Sequence, residues 1–143
     1  MEIRYSAHGA YHHQYHIVWI PKYRKALLKG ELKQYVEQHL NDISAYHPEI
    51  VIEKYSVQKD HVYLVIIIPP KFKVSDVIEK IKANTSREIR THFAWLKKEY
   101  WLNEFWSPGF FSSTIGVSEE VIKRYVEFQE KVDKGAIQLG FGF

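Results

Sequence analysis

The chain has 143 residues, and 45% of them are hydrophobic, which is enough to close a core as one domain spanning residues 1–143. Twenty lysines and arginines against 17 acidic residues give a formal net charge of +3, which permits a nucleic-acid partner without requiring one. The absence of cysteine excludes disulfides, thiolate metal sites and a cysteine nucleophile.

The N-terminal stretch MEIRYSAHGAYHHQYH lacks the apolar core of a signal peptide. No apolar run approaches the roughly 20 residues that a membrane span requires. We therefore expect a soluble, cytoplasmic protein with no membrane partner.

The first half of the chain predicts a strand, a helix and a hairpin. The segment YHHQYHIVWI is rich in aromatic and β-branched residues and stops at Pro21, as a strand would. From Glu31 to about Tyr46, apolar residues recur at helical spacing. The segments EIVIEKYSVQ and HVYLVIIIPP are apolar runs joined by polar residues, which predicts two hairpin strands.

The second half predicts two helices on either side of one more strand. Ser75 is a candidate cap of a long helix, and the apolar stripe of that helix leaves its cations facing solvent or a polyanion. The stripe consists of Ile78, Ile81, Thr85, Ile89, Phe93 and Leu96, and the cations assigned to the other side are Lys80, Lys82, Arg87 and Arg90. The segment FWSPGFFSSTIG predicts a turn and a strand that stops near Gly116, and Ser118 caps a last helix.

This order of elements, β-α-β-β-α-β with a further helix, predicts an α+β, ferredoxin-like fold with an antiparallel sheet and helices on one face. The first and third predicted strands are central neighbours in that fold, so His16 could lie near His61. The other face of the sheet is then available for a partner, as in RNA-recognition modules.

The third predicted strand opens with a histidine that is a candidate functional residue. Because side chains alternate along a strand, His61 and Tyr63 point to one face while Val62 and Leu64 point to the other. A histidine at the edge of a hairpin is also a common solvated turn residue, so both interpretations of His61 stay open.

The last predicted helix presents a phenol and an amide together, because Tyr125 and Gln129 are four residues apart and lie one turn from each other. The alternative is that Tyr125 belongs to an apolar stripe and Gln129 is an ordinary surface residue. That stripe would consist of Val121, Tyr125, Phe128 and Val132.

The loop after the first strand carries Lys22, Tyr23, Arg24 and Lys25, an aromatic residue among cations. Such a combination can stack a base while it binds a phosphate. Many solvated loops have the same composition, so a role without DNA stays open for this loop.

Four segments carry a resemblance to a known family: QYHIVWIPKYRK, KDHVYLVIIIPP, FWSPGFFSSTIG and VIKRYVEFQ. In this order and spacing they resemble the single-tyrosine transposases of minimal insertion sequences, the insertion-sequence-200-like family. The likeness covers nearly the whole chain. It implies a ferredoxin-like catalytic domain, a homodimer, and cleavage and rejoining of single-stranded DNA at hairpin-bearing element ends.

The resemblance also implies roles for individual residues. Tyr125 would be the nucleophile that forms a 5′-phosphotyrosine link and leaves a free 3′-hydroxyl. His61 would be the first histidine of the family's His-hydrophobic-His motif, and Gln129 the polar ligand one turn beyond the tyrosine. Together they would hold Mg²⁺ or Mn²⁺ on the scissile phosphate.

Tyr63 departs from the family pattern, because it stands where the second metal-binding histidine is expected. A neutral phenol is a poor ligand beside an imidazole, so another group would have to complete the metal shell. The candidates are a water held by Tyr63, His16 across the sheet, or Asp60 if the hairpin turn re-aims it. The alternative function is a hairpin-binding protein of the same fold whose catalysis is weakened or lost.

DNA contacts would come from basic residues around the sheet and helices. The candidates are Lys22, Tyr23, Arg24, Lys82, Arg87 and Arg90. In the family the tyrosine helix is flexibly tethered and can complete the active site of the other subunit, and Gly116 is where such a hinge could lie.

Overall fold

Six strands and four α-helices follow one another along the residues that the computed structural model describes, which are 2–6, 9–99 and 104–136. The strands are β1 (Arg4–Ser6), β2 (Gly9–Tyr11), β3 (Gln14–Trp19), β4 (Val51–Gln58), β5 (His61–Ile67) and β6 (Phe111–Ser113). The helices are α1 (Gly30–His39), α2 (Asp42–Tyr46), α3 (Val74–His92) and α4 (Glu119–Asp133). Short 3-10 turns lie at Lys22–Arg24 and Ala94–Lys98.

Four of these strands form one antiparallel sheet in the order β4-β5-β3-β6. This is the order of the split β-α-β-β-α-β arrangement, so the predicted ferredoxin-like fold is confirmed. β3 and β5 are central neighbours, with Val18 opposite Tyr63 and His16 opposite Val65. The prediction that residues 1–143 form a single domain stays a prediction.

One face of the sheet packs against α1 and α3. Val62, Leu64 and Ile66 of β5 are fully buried on this side, as the strand alternation predicts. The predicted stripe of α3 is buried as well, although the helix ends at His92 and the next turn supplies its last two members. The core between these layers includes Ile17, Trp19, Leu32, Val36, Ile78, Ile81 and Ile89.

α4 covers part of the opposite face, so the expectation that this face is open for a partner is wrong there. Val126 of α4 packs on Val18 and Ile20 of the β3 region. Partly buried residues surround this smaller cluster, namely Tyr63, Phe111, Ile122 and Tyr125. The reason is the apolar side of α4, whose residues recur at helical spacing and need a surface to cover them.

Several element boundaries differ from the sequence-based expectation. The predicted first helix is broken after His39 into α1 and α2, and His39 Nδ1 lies 2.7 Å from Asp42 Oδ2 across the break. Ser75 does not cap α3, which begins at Val74 without a side-chain cap. Ser118 does cap α4, since its Oγ accepts a hydrogen bond of 3.2 Å from the Val121 amide.

The hairpin of β1 and β2 is a separate two-stranded sheet that the sequence analysis did not predict. Its strands have only three residues each, which is too short for a clear alternating pattern. Along the described ranges no helix has the length and apolar character needed to cross a membrane.

Candidate active site

A cleft of about 420 Å³ lies between the β4–β5 hairpin and α4. Its walls are formed by Arg24, Ser56, Gln58, Asp60, His61, Tyr63, Glu119, Ile122, Lys123 and Val126. Both members of the predicted pair, His61 and Tyr63, line this cleft, so their shared face is confirmed. The cleft therefore combines a histidine, a phenol, a carboxylate and a guanidinium beside the helix that carries Tyr125.

The hairpin turn re-aims Asp60 onto His61. His61 Nδ1 lies 2.9 Å from Asp60 Oδ1. An ionised carboxylate can only accept a hydrogen bond, so this contact assigns the proton of a neutral His61 ring to Nδ1 and leaves Nε2 as the free nitrogen. Burial opposes ionisation of Asp60, yet hydrogen bonds from His61 and Arg24 outweigh it and lower the pKa of Asp60.

Arg24 bridges two acidic residues from distant parts of the chain. Its Nε donates a hydrogen bond of 2.8 Å to Asp60 Oδ2, and its Nη1 donates one of 3.1 Å to Glu130 Oε1 on α4. Tyr23 and Arg24 both have left-handed backbone angles, with φ of 62° and 55°. Such residues cost about 1–3 kcal/mol each and persist only where surrounding contacts enforce them.

The hydroxyl of Tyr63 is not free to bind an ion beside His61, because it contacts His16. Its Oη lies 2.5 Å from His16 Nδ1, and burial raises the pKa of the Tyr63 phenol. His16 is opposite Val65, four residues from His61, which corresponds to roughly 13 Å along a strand. The expectation that His16 lies near His61 is therefore wrong, because the register of β3 and β5 places His16 opposite Val65, from where its side chain reaches the Tyr63 hydroxyl instead.

Tyr125 lies against the same sheet face with its hydroxyl buried. Its Oη has no hydrogen-bond partner within the described part of the chain, and its ring packs 5.8 Å from that of Phe111. Burial, reinforced by the negative charge of Asp133, raises the pKa of the Tyr125 phenol beyond the usual range. Tyr125 does belong to an apolar stripe, although Phe128 is exposed and Ile122 and Val126 take part instead.

Gln129 is buried, so the alternative that made it an ordinary surface residue is wrong. Its Nε2 donates hydrogen bonds to Ser107 Oγ at 2.8 Å and to Asp133 Oδ1 at 3.2 Å. Ser107 Oγ in turn donates to Asp133 Oδ1 at 2.8 Å. Sequence reasoning missed both residues. Ser107 is 22 positions from Gln129, which leaves no local pattern, whereas Asp133 is four residues after Gln129 on α4 and could have been found from helical spacing.

A divalent metal suits part of this arrangement. His61 offers a free imidazole nitrogen backed by a carboxylate, which is how metal-binding histidines are commonly oriented. The hydroxyl of Tyr63 is engaged by His16, and Gln129 and Tyr125 do not line the cleft. In residues 2–6, 9–99 and 104–136 no three His, Asp or Glu side chains are grouped to hold an ion.

Lys82 is not a surface cation, and the expectation that it faces solvent is wrong. It is 5% exposed, and its Nζ donates hydrogen bonds to the carbonyls of Ser107 at 2.9 Å and Gly109 at 2.7 Å. Burial lowers the pKa of Lys82. The sequence contained the signal, because Lys82 is four residues after Ile78 and three before Thr85, which places it on the buried stripe.

The other predicted DNA contacts are divided between the two sides of the sheet. Arg87 and Arg90 lie on α3, where Arg87 Nη2 donates to Asn84 Oδ1 at 2.8 Å and Arg90 Nε to Ser86 Oγ at 3.2 Å. Lys22 pairs with Glu104 at 3.7 Å, and its Nζ lies 5.4 Å from the centre of the Tyr23 ring. The Lys22–Arg24 turn is on the α4 side, beside the cleft.

Comparisons with known proteins match both the sequence and the fold. The model of the family described as IS200-like transposases matches residues 9–129. The transposase of insertion sequence element IS200 from Salmonella typhimurium is 31% identical over 137 residues, which cover 96% of this chain and 90% of that protein. The ISDra2 transposase TnpA of Deinococcus radiodurans is 28% identical over 130 residues, covering 90% and 92%.

Two solved structures share the fold. A crystal structure described as a transposase from Deinococcus radiodurans R1 superimposes with a TM-score of 0.76 and 26% identity, covering 88% of this chain and 97% of that one. A REP-associated tyrosine transposase has a TM-score of 0.52 and 15% identity, covering 87% and 69%, and shows the likeness of fold alone. The family match over most of the chain, together with the fold, establishes that this protein belongs to the IS200-like transposase family.

Proposed function

We propose that the protein cleaves and rejoins single-stranded DNA at hairpin-bearing element ends, with Tyr125 as the nucleophile. One observation supports this above the others: α4 lays Tyr125 against the sheet face that carries His61 and Tyr63. The family match includes all of these positions. A nucleophile and a candidate metal ligand are thus carried by neighbouring elements on one face.

In the proposed step, Tyr125 Oη bonds to the phosphorus of the scissile phosphate. The bond from phosphorus to the 3′-oxygen breaks, and that oxygen keeps the electron pair and takes up a proton. The phenol proton is lost to solvent, and the 5′-phosphate stays on the tyrosine. The stored phosphodiester lets a 3′-hydroxyl attack later and rejoin the strand without ATP.

The described conformation is a resting one for this chemistry. The Tyr125 hydroxyl is buried and has no hydrogen-bond partner among the described residues, so in this conformation it does not reach a phosphate. α4 must therefore shift from the sheet before Tyr125 reacts. Gly116 precedes α4, and its backbone is neither left-handed nor crowded, so we propose it as the hinge from which the helix serves its own or a second subunit in a homodimer.

His61, with Gln129 brought up by α4, would hold Mg²⁺ or Mn²⁺. Such an ion neutralises charge on a scissile phosphate and orients it for in-line attack. Asp60 determines which nitrogen of His61 is free. The contacts of Gln129 with Ser107 and Asp133 both use Nε2, so Gln129 Oε1 has no partner among the described residues and could bind an ion.

Hairpin recognition is proposed from charge and from likeness of fold. The REP-associated tyrosine transposase was solved with a bound REP hairpin. Among the candidates for DNA contacts, Tyr23 and Arg87 are exposed, and Lys22 and Arg90 are partly exposed. Lys82 is left out of this set because it is buried, and Arg24 because its guanidinium bridges two carboxylates.

The test is incubation of a hairpin-bearing oligonucleotide with Mn²⁺, followed by a denaturing gel that detects a protein–DNA adduct. We expect wild type to give an adduct, and Tyr125→Phe to give none while hairpin affinity stays within about twofold, because only a hydroxyl is removed. Tyr46→Phe is the matched control, since Tyr46 is 82% exposed and distant from the cleft. An undiminished adduct from Tyr125→Phe removes Tyr125 from the mechanism.

A second candidate function is a hairpin-binding protein that kept the fold and lost cleavage. The observation that favours it is Tyr63, which replaces a metal-binding histidine and is engaged by His16. This alternative predicts that wild type binds the hairpin and gives no adduct with any divalent metal. The same gel, run beside a binding assay, separates the two functions.

A further inference from the structure

The turn between β4 and β5 places a carboxylate between His61 and Arg24. Asp60 uses both of its oxygens: Oδ1 lies 2.9 Å from His61 Nδ1, and Oδ2 accepts from Arg24 Nε at 2.8 Å. The Asp60 side chain is 16% exposed and that of His61 20%, so water competes little for these contacts. Because each oxygen of the Asp60 carboxylate has its own partner, the carboxylate is fixed in one orientation, and its hydrogen bond fixes the orientation of the His61 ring.

Arg24 reaches this position only through an unfavourable backbone. Two consecutive residues, Tyr23 and Arg24, are left-handed, although neither is glycine. The Tyr23 amide donates to Asp133 Oδ2 at 2.9 Å and Arg24 also reaches Glu130, so while α4 lies on the sheet its contacts add to the Arg24–Asp60 ion pair in holding the strained turn. Strain of this kind is concentrated at functional sites, where the surrounding structure enforces it.

We propose that Asp60 is a positioning residue for His61, and that the strained Lys22–Arg24 turn exists to hold Asp60 in place. Asp60 keeps the ring proton of His61 on Nδ1 and turns Nε2 into the cleft, ready for a divalent cation. This inference rests on the proposed function for the cation, but the tautomer of His61 is a property of the chain itself. It also gives this chain one firmly oriented ligand where Tyr63 replaces the second histidine.

The chain contains a matched comparison for this pair. His39 Nδ1 lies 2.7 Å from Asp42 Oδ2, which is the same kind of contact between α1 and α2, away from the cleft. Asp42→Asn therefore repeats the chemical change of Asp60→Asn at a site without a proposed role. Asn offers a single acceptor oxygen, so Asp60→Asn cannot satisfy both His61 and Arg24.

The first measurement is the ring-nitrogen NMR spectrum of the full-length protein, without DNA or metal, at a pH where the histidines are neutral. We expect wild-type His61 to carry its proton on Nδ1, and Asp60→Asn to shift His61 toward the Nε2-protonated tautomer. Asp42→Asn should leave His61 unchanged. A wild-type His61 protonated on Nε2, or a tautomer unaffected by Asp60→Asn, overturns the proposal.

The second measurement is Mn²⁺ binding by electron paramagnetic resonance, in the Tyr125→Phe background with a bound hairpin-bearing oligonucleotide, so that no cleavage intervenes. We expect Asp60→Asn to weaken Mn²⁺ binding about 10- to 100-fold, the usual effect of removing such a hydrogen bond from a ligand. Asp42→Asn should stay within about twofold of its parent. Equal Mn²⁺ affinities for Asp60→Asn and its parent, or no saturable binding to the parent, also overturn the proposal.

Arg24→Gln is the second variant, since it leaves the Asp60 carboxylate intact and removes its anchor. We expect a smaller tautomer shift in the same direction, because Asp60 can then rotate. If wild type forms no adduct but its His61 tautomer depends on Asp60, the cleavage function fails and the positioning role stands. If the adduct forms and the tautomer of His61 does not depend on Asp60, the cleavage function stands and the positioning role of Asp60 fails.

Discussion

The two faces of the sheet differ in how many apolar side chains they bury. The face toward α1 and α3 is a continuous apolar core in which Trp19, Leu64 and Ile78 have no exposed surface. The face toward α4 carries a smaller buried apolar cluster of Val18, Ile20 and Val126, and Tyr63 and Tyr125 are among the partly buried residues around it. The first face supplies the burial that stabilises a fold, whereas the second holds its helix with less apolar area.

The polar contacts of α4 sharpen this contrast. In its C-terminal half, Gln129, Glu130 and Asp133 bind the rest of the chain through Ser107, Arg24 and the Tyr23 amide. The hydrogen bonds recorded for residues 118–124 stay within the helix segment itself. Ion pairs and hydrogen bonds that water can replace contribute less than a core, so α4 is the element that can leave the sheet at the lowest cost.

The largest expected effect is on the free energy of unfolding, when one apolar residue on each face is replaced by alanine. Leu64→Ala should lower the free energy of unfolding by about 2–5 kcal/mol, because it leaves a cavity in the core. Ile122→Ala on α4 should cost less than about 2 kcal/mol, because Ile122 is half-buried and loses less area. Urea denaturation followed by circular dichroism measures both. Equal losses would mean that the two faces contribute alike.

The sequence was sufficient for elements with strong local patterns. β5 and the stripe of α3 could be predicted because alternation and helical spacing are local, and Ser118 because capping acts over three residues. Strand alternation and helical spacing made His61 and Tyr125 candidates, but only the resemblance to a family gave them roles. The two carboxylates that hold Arg24 at this site, those of Asp60 and Glu130, are 36 and 106 positions away from it in the chain, which no window of sequence can show.

The next prediction concerns Lys82, which lies on α3 and binds the Ser107–Gly109 turn, where Ser107 contacts Gln129 of α4. Lys82→Met keeps most of the side-chain volume but removes the Nζ donor from the carbonyls of the buried Ser107 and the exposed Gly109. We therefore expect the free energy of unfolding to fall by about 1–3 kcal/mol. Lys80→Met, an exposed neighbour on α3, should change stability by less than about 0.5 kcal/mol. A neutral Lys82→Met would mean that the Ser107–Gly109 turn does not depend on this lysine.

Lys82 also predicts a dependence on pH with a definite sign. Its folded-state pKa lies below the ordinary lysine value of about 10.4, so between the two values the unfolded chain binds more protons. Wild-type stability should therefore rise, relative to Lys82→Met, as pH increases toward 10.4. A difference between the two proteins that does not vary with pH below about 10.4 contradicts a lowered pKa of Lys82 in the folded state.

The smallest expected effect in stability is also the most informative about the α4 face. Tyr63→His restores the second histidine of the family motif and, because Tyr63 is only half-buried, should change the unfolding free energy by less than about 1 kcal/mol. It should lower the Mn²⁺ concentration needed for half-maximal adduct formation severalfold, since imidazole is a better ligand than a neutral phenol. Tyr55→His, at a 46% exposed position on β4, is the control for adding a histidine nearby. If Tyr63→His leaves the metal dependence unchanged while Asp60→Asn alters it, then position 63 is not at the ion. Its contact with His16 then serves the packing of β3 on β5, and His61 alone carries the function of this strand.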